Sequence, residues 1–173
     1  MLQWLQSKMV LLTAGIILIS SIIGVFYYRM DQMEDEERSN RCKMISRIIA
    51  DMYSSNSDEM SQRITFEKGP EGIYLSPTVR GKPYDIEIWT DRVKVKQDGD
   101  TSTERFPTKV HLWPYRSINR TGHLDLAEER WRDERTPPLS LRAGGQDLRL
   151  TMFDLQNTTS SKSHIFISGV ESA

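Results

Sequence analysis

The sequence predicts an α+β protein: a long N-terminal helix, first transmembrane and then amphipathic, followed by an antiparallel β-sheet domain forming a small sandwich or partial barrel. Three observations carry that expectation. Met9 to Tyr28 is an uncharged apolar run whose polar content is Thr13, Ser20 and Ser21. Cys42, Ile45, Ile48, Ile49 and Met52 then recur at helical spacing. Beyond Gln62 the pattern changes to short alternating segments separated by turn residues.

The apolar run comes first. About 20 helical residues rise roughly 30 Å, the thickness of a bilayer's hydrocarbon core. Its hydroxyls can return hydrogen bonds to carbonyls one turn back. Tyr27 and Tyr28 fall where interfacial aromatic residues belong, and Arg29 closes the span. A signal peptide is the competing reading, but it would have an apolar region of only about 7–15 residues ending at small residues. Here large aromatic residues follow a longer run. The expected partner of this segment is therefore the lipid bilayer, crossed once.

The chain divides into a short basic head at 1–8, the membrane helix at 9–28, a helical stalk at 29–55 and a β-rich domain at 62–173. From Met30 to Tyr53 neither Gly nor Pro interrupts the helix, and Asp31–Arg38 is polar and acidic, as in a solvated stalk. The stripe Cys42, Ile45, Ile48, Ile49 and Met52 gives one apolar face that needs something to dock on. Ser54–Ser57 supplies the stop.

In the β-rich part, Tyr84–Trp89 and Arg92–Lys96 pair as a hairpin with Trp89 opposite Arg92. Ile88 then faces Val93 and Ile86 faces Val95 on one side, while Glu87 faces Lys94 and Asp85 faces Lys96 on the other. Weaker strands are expected at 64–67, 73–75, 105–106, 110–113, 139–141, 148–152 and 165–167, with a helix at about 125–134 that ends at Thr136-Pro137-Pro138. Asn157–Ser163 reads as a low-complexity loop. The alternation supplies an apolar face of its own, so residues 62–173 are expected to be expressible without the anchor.

Bulk properties exclude several classes. Formal net charge is −1, and no basic stretch with interleaved aromatic residues occurs, which argues against nucleic acid. The mean hydropathy of −0.52, despite a wholly apolar segment, makes the remainder strongly polar. A single cysteine, Cys42, excludes an internal disulfide framework and a cysteine-rich zinc site. His123, Asp125, Glu128 and Glu129 lie close in sequence, but Asp125 reads as a helix cap and the glutamates as complements to the helix dipole. His111 and His164 cannot be placed. No nucleophile motif and no phosphate-cradling glycine loop appears, so a non-enzymatic protein with no catalytic residues, metal, cofactor or small-molecule substrate is expected.

Two glycosylation sequons, at Asn119 and Asn157, favour a domain facing outward across the cell membrane. Basic residues point the other way: Lys8 precedes the span, whereas Arg29, Arg38, Arg41, Lys43 and Arg47 follow it. The expectation is an extracytoplasmic domain on a single-pass anchor.

Lys8 before Met9–Tyr28, the stripe Cys42–Met52, and the strands YDIEIW and RVKVK together resemble archaeal type IV pilin-like proteins. The resemblance implies a structural, non-catalytic subunit or accessory protein of a surface filament, with protein partners met through the N-terminal helix. Ala14, Gly15, Ser20, Ser21 and Gly24 offer small faces for such packing. Two departures stand out. Ser7-Lys8-Met9 lacks the Gly usual at a pilin processing site, and Thr13 occupies the fifth core position, where many pilins carry an acid. The alternative is a membrane-tethered binding module for a cell-surface protein or glycan.

Overall fold

A computed structural model describes residues 2–55, 57, 59–70, 72–112, 137–157 and 160–171. The chain is α+β. Helix α1 spans Leu2–Ser54 and is followed by strands β1 (Glu59–Thr65), β2 (Ile73–Tyr74), β3 (Thr78–Val79), β4 (Lys82–Pro83), β5 (Asp85–Ile88), β6 (Arg92–Gln97), β7 (Asp100–Arg105), β8 (His111–Leu112), β9 (Leu139–Arg142), β10 (Gln146–Asn157) and β11 (Ser160–Glu171). The expected helix at 125–134, Asn119 and the His123 cluster lie outside the described residues.

The chain separates into two compact units, Met1–Glu36 and Glu37–Ala173. In the first, the helix is long and apolar enough to cross a membrane. Every side chain from Met9 to Tyr28 is exposed. Thr13 Oγ1 donates to the Met9 carbonyl and Ser21 Oγ to that of Ile17, each at 2.8 Å, so these hydroxyls present no unpaired donor to an apolar solvent. Lys8 Nζ lies 4.1 Å from the centroid of the Trp4 ring, a cation over an aromatic face just before the apolar stretch.

In the second unit the strands form a five-stranded sheet, β2-β1-β10-β11-β8, a four-stranded sheet, β7-β6-β5-β9, and the small β3-β4 hairpin. The pairings are antiparallel except at the two margins of the larger sheet. There β2 runs parallel to β1 and β8 parallel to β11, contrary to the uniformly antiparallel arrangement expected. Parallel pairing at β2 depends on Gly72. Its φ is +91°, and a Cβ there would lie 2.6 Å from the Arg63 carbonyl oxygen, so the chain can double back at that point only without a side chain.

The β5–β6 register is the expected one: Asp85 opposite Lys96, Ile86 opposite Val95, Glu87 opposite Lys94 and Ile88 opposite Val93. Trp89 N–H donates to the Arg92 carbonyl at 2.8 Å and closes the turn. Asp98 (φ 51°) and Gly99 (φ 95°) make the two-residue loop between β6 and β7, whose twist suits a tight hairpin. The loop expected at Asn157–Ser163 is instead strand at its described residues, 157 and 160–163. β10 continues through Asn157 and β11 begins at Ser160, with those two residues paired. Ser/Thr composition is a poor guide because twelve-residue strands carry the pairing as far as Asn157 and Ser160. Asn157 therefore ends a strand rather than lying in an open loop.

Buried side chains form one core to which three layers of sequence contribute: Cys42, Ile45, Ile48, Ile49 and Met52 from the helix; Ile64, Leu148, Leu150, Met152, Ile165 and Ile167 from the larger sheet; and Ile86, Ile88, Val93, Val95 and Leu141 from the smaller. The expectation that residues 62–173 suffice by themselves is thereby revised, since their apolar faces enclose helical side chains. Ile49→Ala should destabilise the domain by about 2–5 kcal/mol, measured by urea unfolding. A chain beginning at residue 62 should keep far-UV but lose near-UV circular dichroism. One beginning at residue 37 should retain both.

Candidate functional site

Among the described residues beyond the apolar stretch Met9–Tyr28, three arrangements bring chemically capable groups together. The first is the helix dock. Residues 38, 42 and 46 stand at successive four-residue spacings on α1, and each meets β7. Arg38 Nη2 lies 3.4 Å from Asp100 Oδ2, Cys42 Sγ donates to the Ser102 carbonyl at 3.4 Å, and Ser46 Oγ donates to the Arg105 carbonyl at 3.1 Å. Arg38 is only 1% exposed, a charge desolvated beside an apolar stripe and held by a carboxylate that is itself largely in water. Cys42, Ile45, Ile48, Ile49 and Met52 are all buried. Burial pushes the Cys42 thiol up to about 11, with Glu104 contributing in the same direction. A thiol so placed is a poor nucleophile.

The second is the outward face of the β7-β6-β5-β9 sheet. Register places Arg92 and Arg105 opposite each other, with Lys94, Lys96 and Arg142 on the same face, against Asp85 and Glu87. Arg92 and Lys94 both approach the Trp89 ring, at 5.4 and 5.3 Å from its centroid. The Arg92–Trp89 contact is the one expected from the sequence. The ion pairs differ from the directly opposed ones expected, because Lys96 reaches diagonally to Glu87 while Lys94 turns over the indole. Diagonal neighbours are within reach of a long side chain, and an aromatic face competes for the nearer cation.

The third is a histidine pair that sequence reasoning could not place. His111 on β8 and His164 on β11 lie 53 residues apart, and no spacing signals their meeting; only the parallel β8–β11 pairing, His111 opposite Phe166, brings them together. His111 Nε2 is 3.0 Å from His164 Nδ1, and the ring centroids are 5.1 Å apart at a 38° tilt. Phe166 flanks His111 at 5.3 Å. Burial, and secondarily His164, hold the His111 imidazole down at about 4, so it is neutral at pH 7. Among the described residues, no three His, Cys, Asp or Glu converge.

Comparison with protein-family models, with curated proteins and with solved structures finds no match to this chain.

A double-mutant cycle should give a coupling of about 0.3–1 kcal/mol for Glu87 with Lys96 and close to none for Glu87 with Lys94. Ile88→Lys should be far more damaging than either charge change, because it buries an unpaired ammonium. Cys42 should resist a polar maleimide until the protein unfolds. The unfolded thiol ionises near pH 9 and the folded one only near 11, so Cys42 stabilises the fold fully below pH 9 and progressively less between pH 9 and 11. Urea midpoints of Cys42→Ser should lack that alkaline decline relative to the parent chain.

Proposed function

We propose that this chain is a structural, non-catalytic, pilin-like subunit or accessory protein of a surface filament. Its first unit would be embedded once in the cell membrane, and its β-domain would be presented on the extracytoplasmic side. The observation that carries the reading is the double use of α1. One stretch, Met9–Tyr28, is apolar and exposed throughout, while another, Cys42–Met52, is part of the β-domain's core. An anchor that merely tethered a finished domain would have no reason to supply its interior. The shared core also favours a small sandwich in which the two larger sheets face each other. Association would use the small residues Ala14, Gly15, Ser20, Ser21 and Gly24, which let helices approach closely in lipid. The sequon at Asn157 supports the outward orientation.

A second reading, a tethered binding module, is favoured by the basic face around Trp89. An indole flanked by Arg92 and Lys94 suits an acidic surface protein or an anionic glycan. Cysteine introduced at Gly15 or Gly24 separates the two readings, because the buried native thiol does not compete. Crosslinked ladders in membranes are expected for the structural subunit. Monomers alone, with an intact Met1 by mass spectrometry and ligand capture abolished by Trp89→Ala, would establish the tether instead.

A further inference from the structure

We propose that His111 and His164 form a two-histidine binding site for a divalent transition-metal ion of the copper or nickel type. The convergence of Nε2 of one ring and Nδ1 of the other at 3.0 Å is the observation that carries it. Two imidazole nitrogens bound about 2.1 Å from a metal at a right angle stand roughly 3.0 Å apart, whereas tetrahedral coordination separates them by roughly 3.4 Å. The nitrogen separation therefore suits the cis positions of a square-planar or octahedral ion more closely than tetrahedral zinc, and the two rings, which now face each other across a hydrogen bond, would turn so that both lone pairs meet the ion. Imidazole is a ligand that copper and nickel favour, and copper stands highest in divalent affinity.

The scaffold supports this use. The two side chains come from adjacent strands, His164 lying two residues before Phe166, which pairs directly with His111. The same sheet face presents both rings, and Phe166 beside His111 limits how far that ring can swing. The torsion that orients an imidazole plane is broad, so both nitrogens can turn toward one point without moving the backbone. The proton shared between the rings in the metal-free pair must leave the facing nitrogen, and each ring can carry its proton on the other nitrogen when ligating. Two protein ligands leave the remaining positions to water or to a donor from elsewhere. An ion held there would join β8 to β11 across their short parallel pairing.

The test uses the full-length protein in detergent micelles, stripped with chelator and titrated with copper(II) and, separately, nickel(II). Binding of one equivalent is expected, with nitrogen hyperfine structure in the copper electron paramagnetic resonance spectrum. In nuclear magnetic resonance spectra, the His111 and His164 ring signals should broaden together before one equivalent has been added. His111→Gln and His164→Ala should each weaken binding at least about tenfold, since even outer-shell partners of ligating histidines are worth 10–100-fold. Cys42→Ser should leave binding unchanged. The ring signals of the parent protein give an answer even where a variant fails to fold. Sharp His111 and His164 signals at one equivalent would reveal a hydrogen-bonded pair only and overturn the proposal. So would broadening confined to His123, or binding that survives both histidine substitutions and disappears with Cys42→Ser.

Discussion

The burial of one helical stripe is the constraint on which the domain depends. Ile45, Ile49 and Met52 are no more than 1% exposed, and they sit in the same core as Ile86, Ile88, Val93 and Val95 of one sheet and Leu148, Leu150 and Ile167 of another. A half-buried sheet needs a second apolar layer, and part of that layer here lies before the first strand in sequence. The helix must therefore be in place before the sheets can exclude water completely. The polar flank of the same helix is matched as closely, with Arg38, Cys42 and Ser46 each directed at an acceptor on β7.

Several other buried polar groups tie separate strands together. Asp147, almost wholly buried, takes Arg63 Nη2 at 2.7 Å and Nε at 2.9 Å on one oxygen, and the Phe66 N–H at 3.3 Å on the other. Removal of the Arg63 charge would leave the Asp147 carboxylate desolvated, and that loss exceeds the worth of the pair itself. Gln97 is comparable: its buried amide donates to the carbonyls of Val79 and Lys82 at 3.1 Å each, fixing the β3–β4 hairpin to β6. The Tyr84 hydroxyl donates to the Ser76 carbonyl at 2.8 Å, and burial raises its pKa well above the usual phenol range.

How much of this was legible in the sequence depended on whether the signal was local. The helix stripe and the β5–β6 register were readable because spacing alone specifies them: period 3.6 for the stripe, and period 2 with matched charges for the hairpin. Strand β7 was read only at its last residue, Arg105, because its inward positions are Ser102 and Glu104 rather than aliphatic. Those residues face the polar flank of the helix, so the strand never acquires the apolar alternation that announces one. The diagonal Lys96–Glu87 pair was missed because a register gives neighbours and leaves the choice among them to side-chain length and the competing indole. The histidine pair was beyond reach, since a parallel contact between β8 and β11 carries no mark in either segment.

The placement of α1 along β7 has a consequence for crowding. A strand with one unpaired side is a template on which a neighbouring molecule can add its own strand, the first step toward disordered aggregates. Here the carbonyls of Ser102 and Arg105 are already engaged by helical side chains. A strand added along β7 from a neighbouring molecule would first have to displace the helical side chains that already hold those carbonyls.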